Sequence, residues 1–402
     1  MRLLNVIGTL KPEYGGPVEA LRQMNMALHE LGHESEVLTL DDPEAPWIAR
    51  FPGVVHSLGP SYGKYRYNTK LIPWLISNGH KYDALVACGI WQYQSLAIWR
   101  AARQKGFNYF VYVHGALDPW FKRAFPLKHL KKWLYWPWGD YRVLRDAGAV
   151  LFLSDEEKLL ARESFWLYKA REAVIDNGIF SPAAALDAQR DLFFGAHPET
   201  RGRRLILFMS RLHAKKGCDL LVEAFARVAP DDPSLHLVMA GPDQDGWKKE
   251  LEALAKRSGI AERITWTGML HSDMKEGAMR AAEVFVLPSH SENFGVVVVE
   301  ALARGIPVLI TNKVNIWKEI QSDGAGLVAE DTEIGVTEML ERWLKIDVAM
   351  RVQMAQCARE CFERRFDIKK SAANLIDVIQ RSIANRHVAT GHSNHAKGTG
   401  AW

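Results

Sequence analysis

Four cysteines among 402 residues, none in a CxxC pair, exclude a disulfide framework and a zinc-ribbon site. Cys357 and Cys361 stand one helical turn apart with no histidine close by in sequence, which makes a poor metal site. No apolar run approaches the roughly 20 residues that cross a bilayer. The apolar start Met1–Ile7 breaks at Gly8, too short for a signal h-region, and reads as a buried strand. Neither a GxGxxG fingerprint nor a GxxxxGK[ST] loop is present, which counts against a nicotinamide dehydrogenase and an ATPase. The net charge of +4 is a slight basic excess. It suits anionic small molecules or a membrane surface and is too small to argue for nucleic acid. The resulting expectation is a cytoplasmic protein with reduced thiols and no nucleic-acid partner.

What the chain does have is apolar material, at 48% of residues, and a length beyond what one hydrophobic core usually supports, so two domains are expected. Short apolar runs alternate with amphipathic segments: Leu3–Ile7, Glu36–Leu40, Ala84–Ala87, Tyr109–Val113, Val150–Leu153 and Ala173–Ile175. This is βαβ rhythm with a parallel sheet. Between the first two runs, Pro17 and Gly32 bracket a helix with Val18, Leu21, Met24, Ala27, Leu28 and Leu31 at helical spacing. The rhythm lapses after Ser181 and restarts with Leu205–Met209, Leu235–Ala240, Ile264–Thr267, Val284–Leu287, Val308–Ile310 and Gly326–Val328. The expected division is a first α/β domain over 1–180, a linker over 181–203 and a second α/β domain over 204–366. A helix over 367–386 and a flexible tail over 387–402 complete the chain.

The most informative stretch runs from Pro288 to Gly295 and on through Val296–Glu300. A strand ends in a polar turn, and a helix opens near Gly295 with amides free for an anion. Glu292 in the turn and Glu300 in the second helical turn therefore flank one helix start at the carboxyl end of a sheet, where open α/β sheets bind ligands. Singly, Glu292 reads as a capping carboxylate and Glu300 as a solvated helix residue. Together in this surround they read as a site. After the first strand of the second half, Ser210-Arg211-Leu212-His213-Ala214-Lys215-Lys216-Gly217 offers Arg211 as a planar fork and Lys216 as a point charge for a diphosphate. A solvated basic loop is the alternative. Gly15-Gly16 would let backbone amides approach a phosphate or sugar, or simply serve a tight turn. His114 ends the strand Tyr109–Val113 on the ligand side, either as a functional or as a hydrogen-bonded structural histidine.

These residues resemble the retaining family 4 glycosyltransferases, often called glycosyl transferases group 1, with the GT-B fold. The resemblance runs from Met1 to about Ile383 and rests on E-x7-E at Glu292 and Glu300, the Arg211–Lys216 spacing, Gly15-Gly16 and His114. It implies two Rossmann-like domains facing across a cleft, with the final helix crossing back to the first domain. In such enzymes the first acid contacts the transferred sugar and the second holds the ribose hydroxyls, which casts Glu292 and Glu300 in those roles. Arg211 and Lys216 would neutralise the leaving diphosphate, and the amides of Asn293, Phe294 and Gly295 would line sugar and phosphates. Gly16 falls by the phosphate and His114 by the sugar, while Gly241 and Met269-Leu270 fall where the nucleobase pocket is built. Ser210 stands where glycine is common in the family, and Asn293 where proline is common.

The function implied is transfer of a sugar from a UDP- or GDP-type donor to a glycan or lipid-linked saccharide, with retention of anomeric configuration. Polysaccharide or lipopolysaccharide synthesis is the expected setting. The family's usual scheme is same-face substitution in which the leaving phosphate takes the acceptor's proton, and fixed cations and amides stabilise the leaving group with no metal or cofactor. Competing readings are a phosphorylase or epimerase of the same fold and a catalytically silent sugar-nucleotide binder.

One segment stands apart. From Pro119 to Tyr141 the chain mixes tryptophans and lysines with one acid, Asp140, near the end. Two readings fit: peripheral contact with the inner face of a membrane, or a packed helix whose tryptophans enter the core.

Overall fold

The computed structural model describes residues 1–395 except 121, 123, 124, 184, 185, 244 and 245. The chain divides into two compact units: residues 1–180 together with the segment from Ile368 onward, and residues 181–367.

The first unit carries a seven-stranded sheet: β1 (Arg2–Ile7), β2 (Glu34–Thr39), β3 (Val55–Ser57), β4 (Ala84–Cys88), β5 (Tyr109–Tyr112), β6 (Val150–Phe152) and β7 (Glu172–Val174). Its spatial order is β3-β2-β1-β4-β5-β6-β7, with every pairing parallel. Parallel strands carry helices on both faces, so they must be apolar on both. Every residue of β4 and β5 is buried accordingly. β3 is an edge strand that the apolar pattern did not reveal, because Val55 is the one apolar residue of its three.

The helix Gly16–Glu30 forms as its spacing predicts. Gly15 enters it at φ +81°, Pro17 occupies the first turn, and Val18, Leu21, Met24, Ala27 and Leu28 face the core. The chain returns to this unit in the final helix, which buries Ile368, Ala372, Leu375, Ile376 and Ile379 on one stripe. Lys369 pairs with Glu30 at 2.8 Å, and Asn374 donates to the carbonyl of Val174 at 3.2 Å. This helix continues to His395, into the stretch expected to be a tail. The rest of that expected tail, 396–402, lies outside the described residues.

The second unit carries a six-stranded sheet: β8 (Arg204–Met209), β9 (Leu235–Ala240), β10 (Ile264–Gly268), β11 (Ala282–Leu287), β12 (Val308–Thr311) and β13 (Gly326–Ala329). Its order β10-β9-β8-β11-β12-β13 repeats the doubly wound plan of the first, again all parallel. The expected linker over 181–203 is not a bare connection. Asp187–Ala196 forms a helix whose Phe193 is fully buried, and Gly277 of the helix Ser272–Ala281 lets it sit close. A Cβ on Gly277 would lie 2.1 Å from the carbonyl oxygen of Gln189. This helix escapes the apolar pattern because Phe193 is its one buried residue, which leaves no stripe at helical spacing.

Candidate active site

A doubly wound sheet changes winding direction between its two central strands, and the crevice outside their carboxyl ends accepts ligands. In the second unit those strands are β8 and β11. The loop after β8 carries Arg211 and Lys216; the loop after β11 carries Glu292.

One glycine sets the separation of these two loops, and a second sets that of the loops after β8 and β9. At Gly217, φ is +63°, and an added Cβ would lie 2.1 Å from the carbonyl oxygen of Pro288, at the end of β11. At Gly241, φ is +146°, and a Cβ would lie 1.8 Å from the carbonyl oxygen of Ser210. Only glycine allows either approach. The amide of His290 donates to the carbonyl of Lys215 at 2.9 Å, tying the two loops together.

The result is that Lys216, buried at the end of a short 3₁₀ turn, donates its ammonium to the carboxylate of Glu292. Glu292 is itself fixed through its backbone: its amide donates to the carbonyl of Lys313 at 2.8 Å, and its carbonyl accepts from the amide of Asn315 at 3.0 Å. Burial by itself would raise the Glu292 carboxyl. The charge and hydrogen bond of Lys216, the charge of Lys215 and the amide of Asn293 outweigh it and hold the group below the ordinary carboxylate range. Glu292 is therefore an ionised carboxylate at neutral pH.

The helix Val296–Leu302 follows from Gly295, left-handed at φ +74°. Phe294 turns its side chain into the core, edge-on to Phe366 at 5.7 Å, so only its backbone can serve a ligand. The side-chain oxygen of Asn293 accepts from Asn315 at 3.4 Å. Met269 is exposed beside Leu270, just past the end of β10, and the amide of Gly241 donates to the carbonyl of Gly268 at 2.8 Å.

Glu300 has a partner that the sequence did not announce. Lys275, on the helix Ser272–Ala281, reaches both carboxylate oxygens, at 2.7 Å and 2.6 Å. Nothing in the spacing marks this pair, because the two residues lie on separate elements 25 positions apart. Arg211 is exposed at the end of β8. The structure thus joins Lys216 to Glu292 and Lys275 to Glu300.

Gly15, Gly16 and His114 belong to the first unit. A Cβ on Gly15 or Gly16 would meet nothing within 4 Å, so neither is required by packing against another part of the chain. His114 follows β5 at φ +47°, a left-handed conformation uncommon for a residue with a Cβ, and stacks on Tyr112 at 5.2 Å. It shares a small void with Leu21 and Met24 of the first helix. Burial lowers its imidazole to about 4, so it is neutral at pH 7. The turn behind it is held by Glu157, whose carboxylate accepts from the amides of Gly115 and Leu153 and ties the ends of β5 and β6.

Residues 15–178 match the family model described as "Glycosyl transferase 4-like domain", and residues 189–360 match that described as "Glycosyl transferases group 1". The two matches take in both halves of the chain, which belongs to this glycosyltransferase family. Among curated relatives, a D-inositol 3-phosphate glycosyltransferase of Nocardiopsis dassonvillei is 31% identical over 260 residues, covering 62% of this chain and 59% of the relative. Other proteins of that name are covered over 44% and 43% of their length, so the match spans about half of these relatives. Among solved structures, Anabaena Alr3699/HepE in complex with UDP superposes with a TM-score of 0.78 at 17% identity, over 95% of this chain and 100% of that one. WaaG, described as a glycosyltransferase involved in lipopolysaccharide biosynthesis, gives 0.63 at 18% identity over 94% and 99%. Both share the fold, two Rossmann-like domains of the GT-B type.

Proposed function

We propose that this protein transfers a sugar from a nucleoside-diphosphate donor of UDP or GDP type to a glycan or lipid-linked saccharide, with retention of configuration and without metal. The setting proposed is polysaccharide or lipopolysaccharide synthesis in the cytoplasm. One observation carries this reading: the Lys216–Glu292 pair at the switch point of the second sheet. Breaking the bond between the anomeric carbon and the diphosphate leaves positive charge on the sugar and negative charge on the leaving group. An ionised carboxylate and a buried ammonium held side by side can stabilise both. Lys216 has three N–H donors and gives one to Glu292, which leaves donors for the diphosphate. The UDP held by the Anabaena protein and the lipopolysaccharide role of WaaG support the donor and the setting by analogy of fold.

The test is thermal unfolding with UDP, GDP and ADP, with and without EDTA, on the wild type and on Glu300→Ala and Arg211→Ala. Saturation at a hundredfold over Kd adds about 2.7 kcal/mol, or about 5–10 °C for a unit of this size. One nucleotide is expected to stabilise the wild type alone, with EDTA making no difference. No shift with any nucleotide, or phosphate-dependent cleavage of a glycan, would overturn the reading. The anomeric configuration of the product, read by NMR, decides retention.

Lys275 enters the same reading. A carboxylate has about four lone-pair sites; Lys275 occupies one on each oxygen of Glu300, which leaves two for the two ribose hydroxyls. Its role is to fix the Glu300 rotamer before ligand arrives. Lys275→Met is expected to weaken nucleotide binding about fivefold, the worth of a partly exposed pair, with kcat nearly unchanged and Lys275→Arg restoring most of the loss. Titration calorimetry reads it, and equal affinity in Lys275→Met would remove Lys275 from the site.

A further inference from the structure

The helix Pro126–Tyr135, in the first unit, is built inside out. An ordinary surface helix turns its apolar stripe to the core and its charges to water. Here no residue of the helix is fully buried, and the inward side is polar and aromatic. His129 stacks on Phe165 at 4.9 Å, the ammonium of Lys132 lies 4.6 Å from the ring centre of Trp91, and the hydroxyl of Tyr135 meets that of Tyr65 at 2.8 Å. The outward side carries Leu127, Leu130 and Leu134, at helical spacing and 78%, 54% and 62% exposed. Trp138 past the helix end and Trp166, beside Trp133 at 6.1 Å, are 71% and 65% exposed. Of this segment's four tryptophans, all among the described residues, the core takes only Trp136, which is fully buried and donates its indole N–H to the carbonyl of Leu167.

We infer that this face docks on an anionic lipid bilayer. Three leucines on one stripe in water are unfavourable, and an apolar phase removes that cost. The surrounding chemistry selects a bilayer. Tryptophan is the side chain of the headgroup level, and Lys122, Lys128 and Lys131 are exposed in the same segment. Between Pro119 and Gly139 there is no Asp or Glu, so the segment carries charge of one sign and complements acidic headgroups. Among the described residues no helix is long and apolar enough to cross a membrane, so the contact lies in the interface plane. This inference does not rest on sugar transfer and is tested apart from it.

The experiment is co-sedimentation of the full-length protein with vesicles of phosphatidylcholine alone and of phosphatidylcholine mixed with phosphatidylglycerol. Two variants accompany it: Leu127→Gln/Leu130→Gln/Leu134→Gln and Lys122→Gln/Lys128→Gln/Lys131→Gln. None of the substituted side chains is buried, so both variants should melt like the wild type and keep its nucleotide response. The wild type is expected to pellet with the mixed vesicles, with a blue shift of tryptophan emission. The leucine variant should lose at least about tenfold in partitioning. The lysine variant should lose the preference for anionic lipid, about fivefold per lysine at low salt. Failure of the wild type to pellet would overturn the inference, as would unchanged partitioning of the leucine variant. So would a dimer seen by sedimentation velocity that the leucine variant abolishes while vesicle binding is absent.

Discussion

Glu292→Gln is expected to lower kcat for sugar transfer by about 10²–10³, the cost of removing one preorganised electrostatic group from a transition state, while binding of the free nucleoside diphosphate holds or tightens. The two effects have one origin. In the wild type the ammonium of Lys216 is shared with the carboxylate of Glu292, whose charge offsets part of the attraction that Lys216 can offer a diphosphate. Glutamine keeps the shape and an acceptor but not the charge, so Lys216 turns fully to the phosphates. The sugar, where positive charge develops, loses its counter-charge. Because Glu292 is held below the ordinary carboxylate range, it stays ionised through mildly acidic pH, and the wild-type rate should not fall there on its account. Stability should drop as well, since the glutamine leaves a buried ammonium without its ion-pair partner. Both side chains keep some access to water, so the loss should be well below the about 3–5 kcal/mol of a fully buried pair. Steady-state kinetics together with calorimetry on the same preparations separate the terms. A kcat within tenfold of wild type would take Glu292 out of the chemistry.

The parts of this site differ in how far the sequence discloses them, and the difference has a physical source. Strands buried on both faces declare themselves as continuous apolar runs. β9 falls on the expected residues and the other strands, β3 apart, within about two residues of expectation, as end fraying allows. β3 and the helix Asp187–Ala196 escape because the one, Val-His-Ser, has a single apolar residue and forms no apolar run, and the other buries Phe193 alone and so has no apolar stripe. Glu292 and Lys216 are each visible as a charge at a strand end. Their meeting is not, for they are 76 positions apart and become neighbours only because β8 and β11 are adjacent in the sheet. Lys275 is hidden altogether: on its own helix it reads as one more solvated lysine, and only the packing of that helix beside Val296–Leu302 gives it Glu300. The segment Pro126–Tyr135 shows the reverse case. Its composition speaks for both a lipid face and a core face, and the direction of each side chain decides between them residue by residue.

Gly217→Ala should be among the costliest single methyls added to the second unit's loops, with the site lost before the fold. A residue with a Cβ held at φ +63° costs roughly 1–2 kcal/mol by itself. At Gly217 that Cβ would also lie 2.1 Å from the carbonyl oxygen of Pro288. The obstacle is backbone at the end of a central strand, not the mobile end of a side chain, so the loop after β8 has to retreat. That retreat carries Lys216 away from Glu292 and strains the bond between His290 and Lys215. The expected destabilisation is about 2–4 kcal/mol, seen as a fall of about 4–16 °C in the melting of this unit. Activity should fall by at least the factor expected for Glu292→Gln. Gly106→Ala is the matched control: it too is left-handed, at φ +77° and ψ 16°, but its Cβ would meet nothing within 4 Å. It should show the conformational cost alone, about 1–2 kcal/mol. If the two substitutions destabilise equally, close approach of the loops is not what glycine serves at Gly217, and the geometry of the Lys216–Glu292 pair needs another cause.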